Sequence, residues 1–368
     1  LFRVNPWFIV IYGAILCGFL FIDRVIITLY INLLQRKGKA LRYILIAGTN
    51  KKAINTAQLF DGNPKWGYKV VGFLTYENEE VGKEAHGFKI LGTVDDIMFV
   101  LEKHVVDAVL LCEERQNLKD IQTLALRCKT IGIDFILDTN VFMQDIRDLS
   151  FDRVNNSSFI FFRPIWQTPE KLLIKRVVDI LISGIMIILC IPLWIIIPML
   201  IRRDSEGPAF YIQERVGKNG RLFKMYKFRT MIVGADKMQA EVMHLNEMDG
   251  PVFKIKDDPR LTKVGKLLRR TSLDELPQLF NVIKGDMSLV GPRPPILSEV
   301  LQYRPWQRKR LSVVPGVTCL WQVTGRNEIK FDEWMKLDMQ YIDNWSLTLD
   351  LKILFLTIKA VISRKGAL

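Results

Sequence analysis

Paired cysteines, clustered histidines and an acidic surplus are all missing from this chain of 368 residues. Its five cysteines, Cys17, Cys112, Cys128, Cys190 and Cys319, are odd in number and far apart, which argues against a disulfide framework and a zinc site and makes a reducing compartment the simpler expectation. His86, His104 and His244 have no metal-ligand spacing, and no serine or cysteine sits in a nucleophile-elbow context; none is assigned a role. Acids are outnumbered, 39 Asp+Glu against 52 Lys+Arg, and the net charge of +13 suits nucleic acid, an anionic membrane surface or a phosphorylated substrate. A recognised nucleic-acid module is also lacking, and apolar segments of lipid length speak against a nucleic-acid partner.

What the chain has in quantity is apolar residue. A hydrophobic content of 49% and a mean hydropathy of +0.14 place part of it in lipid. Trp7 to Leu34 is apolar apart from Asp23 and Arg24, and Arg36, Lys37, Lys39 and Arg42 follow at once. This predicts a tilted membrane helix over residues 1–36 whose C-terminal end is cytoplasmic. A cleaved signal peptide is the alternative; against it, the basic cluster follows the apolar run where a signal peptide has it in front. The chain opens on Leu1 directly into this segment, so a longer parent protein is expected.

From residue 40 to 164, short β-rich runs alternate with helical patterns: YILIAG, a helix near Lys51 to Phe60, KVVGFL, a helix near Val94 to Lys103, DAVLLC, a helix near Leu118 to Ile131, and DFILDT. That alternation predicts a Rossmann-like, doubly wound parallel sheet. The first strand-to-helix turn, GTNKKA, keeps only the first glycine of a dinucleotide fingerprint, which favours a structural or regulatory module over tight NAD binding.

The segment KRVVDILISGIMIILCIPLWIIIPMLIRR, Lys175 to Arg203, has cations at both ends and Pro192 in the middle. Proline removes a backbone donor and clashes with the preceding turn, so a bend is predicted there. Its halves would reach about 22 Å and about 15 Å, short of a ~30 Å hydrocarbon core. A re-entrant hairpin over 170–203, with both ends cytoplasmic, fits the charge pattern; a kinked span is the alternative.

Downstream, strand-like alternation in RLFKMYKFRTM puts Lys227 and Arg229 on one face, either to hold a diphosphate or as a solvated basic face. Ser272 followed by Glu275 reads as a capping box, so Asp274 and Glu275 fall in the first turn of a helix. Such acids complement the helix dipole. Arg260, Arg269 and Arg270 precede them and Arg293 follows in a Gly-Pro-Arg-Pro-Pro turn. An ionised carboxylate there can act as a nucleophile while its neighbour holds a divalent cation, which points to phosphoryl transfer. Pro292, Pro294 and Pro295 stiffen the loop bearing Arg293. The last segment, DNWSLTLDLKILFLTIKAVISRKGAL, reads as an interfacial amphipathic helix or a core helix, and PWQRKRLSVVPG as a contact with anionic headgroups.

Taken in order, GPAFYIQERVGKNGRLFKMYKFRTM, DDPRLTKVGKLLRRTSLDELPQLFNVIKGDMSLVGPRP, PGVTCLWQVTGRN and YIDNWSLTLDLKIL resemble the bacterial sugar transferases, the monotopic phosphoglycosyl transferases. The whole chain is similar to their larger members. The resemblance implies an α/β membrane protein: a Rossmann-like domain, then an α+β catalytic domain over 204–368 with a re-entrant helix broken at Pro192. It implies a UDP-sugar donor carrying galactose or glucose, undecaprenyl phosphate as acceptor, Mg²⁺ as cofactor and a location at the cytoplasmic face of the bacterial inner membrane, among its lipids. A homodimer is one expected assembly. Asp274 would be the nucleophile, Glu275 its metal-binding partner, and Pro292 with Arg293 the nucleotide loop; Lys227, Arg229, Arg260 and Arg270 complete the expected substrate contacts. The chain departs from the family at Ile191, where serine often precedes the proline, and at Cys319, where glycine often follows PGVT. A membrane-anchored nucleotide sensor or scaffold is the alternative, and the intact Asp274, Glu275 and Arg293 speak against it.

Overall fold

The computed structural model describes Gly18 and residues 41–363, except 64–65, 113–117, 139–151, 155–156, 163–168, 240, 248, 254, 256–257 and 325–328. The expected helix over 1–36 therefore lies outside the described residues, Gly18 apart. By contacts the chain divides into two compact units, one of Leu1–Ile97, Val106–Arg115 and Ile136–Ile160, the other of Met98–Val105, Gln116–Phe135 and Phe161–Leu368.

The first unit is organised on a sheet. Strands β1 (Arg42–Ala47), β2 (Tyr68–Thr75), β3 (Glu84–Ala85), β4 (Phe88–Thr93), β5 (Ala108–Leu111), β6 (Asp134–Asp138), β7 (Asp152–Val154) and β8 (Ser157–Phe162) take the order β3-β4-β2-β1-β5-β6-β8-β7. β1 runs parallel to β2 and β5, and β2 parallel to β4. Helix α1 (Lys51–Asp61), and helices α2 (Ile97–Lys103) and α3 (Leu118–Ile131), whose residues after Ile97 belong to the second unit, fall in the expected segments. All four residues of β5 are buried, the continuous apolar pattern of a strand covered on both faces. The β3–β4 hairpin and the antiparallel β7–β8 pair add antiparallel edges to the expected alternation of parallel strands and helices. At the first strand-to-helix turn, Gly48 takes φ +117 and Asn50 caps α1 by accepting from Ala53 N at 2.8 Å. Thr49 and Thr75 donate to Glu80 at 2.8 and 2.7 Å, which holds its carboxyl below the usual range.

In the second unit, α4 (Pro169–Leu189) and α5 (Ile191–Asp204) form a pair bent by 63°. Among the described residues no single helix is long and apolar enough to cross a membrane. Pro192 occupies the first turn of α5, where its missing N–H costs nothing. The Trp194 indole reaches back across the break and donates to Ile187 O at 3.2 Å. This supplies a donor where the chain has Ile191 in place of a hydroxyl residue.

Both ends of the bent pair are tied into the same unit. Arg176 donates to Val282 O and Ile283 O at the end of α7 (Gln278–Lys284). Lys175 pairs with Asp350, and Asp179 accepts from Ser288 Oγ at 2.7 Å. At the far end Asp204 accepts from Val264 N at 2.8 Å, near the start of α6 (Lys263–Thr271). Between these ends Leu181, Ile185, Ile188, Leu189, Ile195 and Met199 stay exposed.

The remaining elements are the antiparallel hairpin β9 (Phe210–Val216) and β10 (Leu222–Phe228), the parallel pair β11 (Ser288–Val290) and β12 (Gly316–Thr318), and helices α8 (Leu297–Val300), α9 (Pro305–Arg308), α10 (Leu320–Thr324), α11 (Phe331–Asp343) and α12 (Leu347–Ser363). A core of Met225, Leu279, Val282, Val290, Tyr341 and Ile342 joins β10, α7, β11 and α11, each fully buried side chain stabilising by about 1.5–3 kcal/mol. The C-terminal helix α12 leaves Leu351, Phe355 and Ile358 exposed while Ile353 is fully buried, so it has one core face and one apolar outer face.

Candidate active site

Asp274 and Glu275 lie in a short 3-10 turn, Leu273–Glu275, between α6 and α7. The expected capping box does not form. Ser272 adopts φ 56, a left-handed conformation that terminates α6 through its N–H to Arg269 O at 3.1 Å, and its side chain caps nothing. An N-cap residue needs extended backbone to aim its hydroxyl at the next turn, so the carboxylates sit at a helix junction instead.

That junction buries Asp274 to 7% exposure. Burial pushes its carboxyl up to about 6; Lys227 opposes this, Glu275 adds to it and Arg269 opposes it. The acid is still mostly ionised at neutral pH. Lys227 reaches from β10 to Glu275 Oε1 at 3.0 Å, so the strand delivers one cation to the pair.

The other expected cations divide between site and scaffold. Arg269, on α6, acts electrostatically on Asp274 and donates Nε to Thr230 Oγ1 at 3.2 Å; the adjacent Arg270 is exposed, since neighbouring helix positions point about 100° apart. Arg260 is buried in a bidentate pair with Asp258, at 2.9 and 2.6 Å, and donates to Ala235 O at 3.1 Å. Arg229 lies one residue past β10 and donates to Glu206 O and, at 2.8 Å, to Ser205 O. It closes the end of α5 and is not seen beside Lys227.

Arg293 is half-buried in the loop after β11, and its charge is felt at both Arg215 and Arg269. No hydrogen bond to its guanidinium is present among the described residues. Pro292 precedes it, with its carbonyl accepting from Gly316 N at 2.9 Å. Arg215 was missed by sequence reasoning: it is buried on β9, bound to Gln213 Oε1 at 2.6 Å and Pro294 O at 3.0 Å. Burial, then Arg293, pulls its guanidinium down to about 10, while Glu275 pulls the other way. Its alternation with Gln213 along β9 was the available signal. The site is thus two adjacent carboxylates, one buried, with Lys227 and Arg269 acting on Asp274, Arg215 acting with Glu275, and Arg293 felt at both arginines.

Among the described residues no group of three or more His, Cys, Asp or Glu could hold a metal ion. Two adjacent carboxylates do suit Mg²⁺, which keeps several waters and takes substrate phosphate oxygens beside one or two carboxylates.

Residues 170–364 match the family model described as bacterial sugar transferase, and residues 4–137 that described as CoA-binding domain. The chain is 45% identical over 232 residues to the "Galactosyl transferase CpsE" of Streptococcus agalactiae, covering 61% of this chain and 51% of that protein. It is 45% identical over 202 residues to the "Undecaprenyl-phosphate galactose phosphotransferase" of Salmonella typhimurium, 53% of this chain and 41% of the other. A Klebsiella pneumoniae protein named "UDP-glucose:undecaprenyl-phosphate glucose-1-phosphate transferase" is 31% identical over 363 residues, 95% of this chain and 74% of that one. The chain thus spans about half the length of the first two relatives.

Proposed function

The chain belongs to the bacterial sugar transferase family, and from that premise we propose that it moves a hexose 1-phosphate, galactose or glucose, from a UDP-sugar to undecaprenyl phosphate. The observation that carries this reading is the buried Asp274 beside Glu275, with Lys227 and Arg269 acting on it and Arg293 felt at Arg269. In the proposed reaction an oxygen of the Asp274 carboxylate attacks the β-phosphorus of the donor. The bond from that phosphorus to the bridging oxygen breaks, and UMP leaves with the electron pair. A phosphate oxygen of the polyprenyl acceptor then attacks the aspartyl-bound phosphorus, forms the new diphosphate and returns the carboxylate. Arg293, Arg269 and Lys227 stabilise the equatorial charge, the main task in phosphoryl transfer. Glu275 and Asp274 would hold Mg²⁺, which supplies neutralisation of the donor diphosphate when bound.

The bent pair is read as a hairpin dipping into one leaflet. Supporting this, Lys175 and Arg176 at one end and Asp204 at the other bind residues of one compact unit, so both ends share a side. With the inner membrane's cytoplasmic face as that side, soluble donor and lipid acceptor meet at Asp274. The product would open an exopolysaccharide, capsule or O-antigen unit. The test is UMP release from each UDP-sugar in turn with undecaprenyl phosphate and Mg²⁺; no UMP with any sugar removes the proposal. UDP-galactose and UDP-glucose are the donors expected to give it.

A further inference from the structure

The loop from Gly291 to Pro295 contains Pro292, Pro294 and Pro295, and proline has no N–H with which to tie a loop down. Its carbonyls are held by outside donors instead. Pro292 O accepts from Gly316 N at 2.9 Å and Pro295 O from Val216 N at 2.9 Å. Pro294 O accepts from Arg215 at 3.0 Å, and Arg293 O from Arg310 Nη2 at 2.9 Å. The bond to Arg310 stands apart, because it fixes the backbone of the loop's one charged residue, whose charge is felt at Arg215 and Arg269.

Arg310 is 1% exposed, as is Asp338 on α11, and the two form an ion pair at 2.9 Å. Its Nη1 donates to Tyr303 Oη at 2.8 Å. The guanidinium also lies 5.6 Å from the Tyr303 ring and 5.7 Å from the Trp334 ring. Asp338 Oδ2 offsets the buried charge by proximity without an aligned hydrogen bond, while the planar fork binds the Tyr303 hydroxyl and the Arg293 carbonyl at once, which a lysine ammonium on its flexible stem does not reproduce. A buried ion pair is also poor support for stability alone, since apolar residues of similar volume often serve as well.

We infer that Arg310, fixed by Asp338, is a positioning residue for Arg293: it sets the loop backbone so that the Arg293 guanidinium faces the donor diphosphate. This rests on the donor-site reading above. Arg310→Lys should raise KM for the UDP-sugar about tenfold with kcat within about threefold, the signature of lost binding. The double variant Arg310→Met with Asp338→Leu refills the core without the donor to Arg293 O; it should melt near the wild-type temperature and show the same rise. Tyr303→Phe removes a different bond to the same guanidinium and should leave KM unchanged. In an Arg293→Ala background, itself raised in KM, Arg310→Lys should add nothing, as expected for residues acting as a unit.

An unchanged KM in folded Arg310→Lys, or an additive effect in the Arg293→Ala background, overturns the inference and leaves the donor-site reading standing. Failure of both Arg310 variants to fold also overturns it, since the pair is then only a core element. If Arg293→Ala leaves KM at the wild-type value, the donor-site reading falls and takes this inference with it.

Discussion

Lys227 Nζ sits 3.0 Å from Glu275 Oε1, and the Lys227 charge is the main force opposing the burial that raises Asp274. One strand side chain therefore holds the second carboxylate and keeps the first ionisable. The carboxylate proposed as nucleophile is raised mainly by burial, and the charge that most opposes this comes from a residue 47 positions away in sequence.

The acid limb of kcat/KM follows from this. Activity should fall as pH drops through about 6, where Asp274 takes a proton. Lys227→Met removes a charge that favours the carboxylate, so the limb moves to higher pH, with about tenfold less activity below it for each pH unit of displacement. A pH–rate series of UMP release with both proteins tests the direction; an unmoved or lowered limb would contradict the coupling.

Stability should carry the opposite mark of the same burial. The folded-state value of about 6 lies above the ordinary 3.8, so the folded protein holds this proton more tightly than the unfolded chain. The resulting stabilisation is complete below about pH 4 and is lost as pH rises through 6. In metal-free buffer, wild type should lose on the order of 3 kcal/mol relative to Asp274→Asn between those limits, at about 1.36 kcal/mol per pH unit. Comparing denaturant midpoints of the two proteins isolates Asp274 from Asp338, also pushed up to about 6. Asp274→Asn should form no phosphosugar adduct by mass spectrometry of the intact protein.

The arginines should separate by task. Arg269→Ala is expected to raise KM for the donor at least tenfold, whereas Arg270→Ala, at an exposed position on α6, should stay within about twofold. Arg260→Met leaves Asp258 buried without its bidentate partner and should cost about 3–5 kcal/mol of stability. Thermal melts beside kinetics distinguish the two kinds of loss.

Trp194→Phe retains a ring where the indole lies 5.1 Å from Phe280 and 5.7 Å from Phe228, but withdraws the N–H from Ile187 O. A net loss of about 1 kcal/mol is expected, measured by thermal unfolding in nanodiscs. A single cysteine placed after Arg203 should resist modification from the periplasmic side in wild type; labelling there would restore an ordinary span.

Gly316→Ala should be severe. An added Cβ would lie 2.1 Å from Gly291 N and 2.5 Å from Gly291 O, so β11 and β12 would be forced apart under the Pro292–Arg293 loop. Overpacking of this kind costs about 1–3 kcal/mol, and the donor KM should rise with it. A variant that melts and binds like wild type would show that the two strands have slack.

Much of this was readable in advance because it depends on neighbours in sequence. Short β-rich apolar runs marked β1, β2, β5 and β6, helical patterns marked α1, α2 and α3, and Pro192 marked the break between α4 and α5. Asp274, Glu275, Lys227 and Arg293 stand out in the sequence as residue types whose chemistry suits a phosphate, and their role awaits the kinetic variants above.

Where each charge points depends on the fold in three dimensions. Lys227 and Arg229 share a strand pattern, yet one meets Glu275 and the other the carbonyls beyond α5. Ser272 matches a capping motif, yet its left-handed backbone ends a helix. Local pattern fixes which face of an element is apolar, because period and burial are one-dimensional. A guanidinium binds whatever acceptor folding brings within about 3 Å, and that neighbour comes from segments tens of residues away.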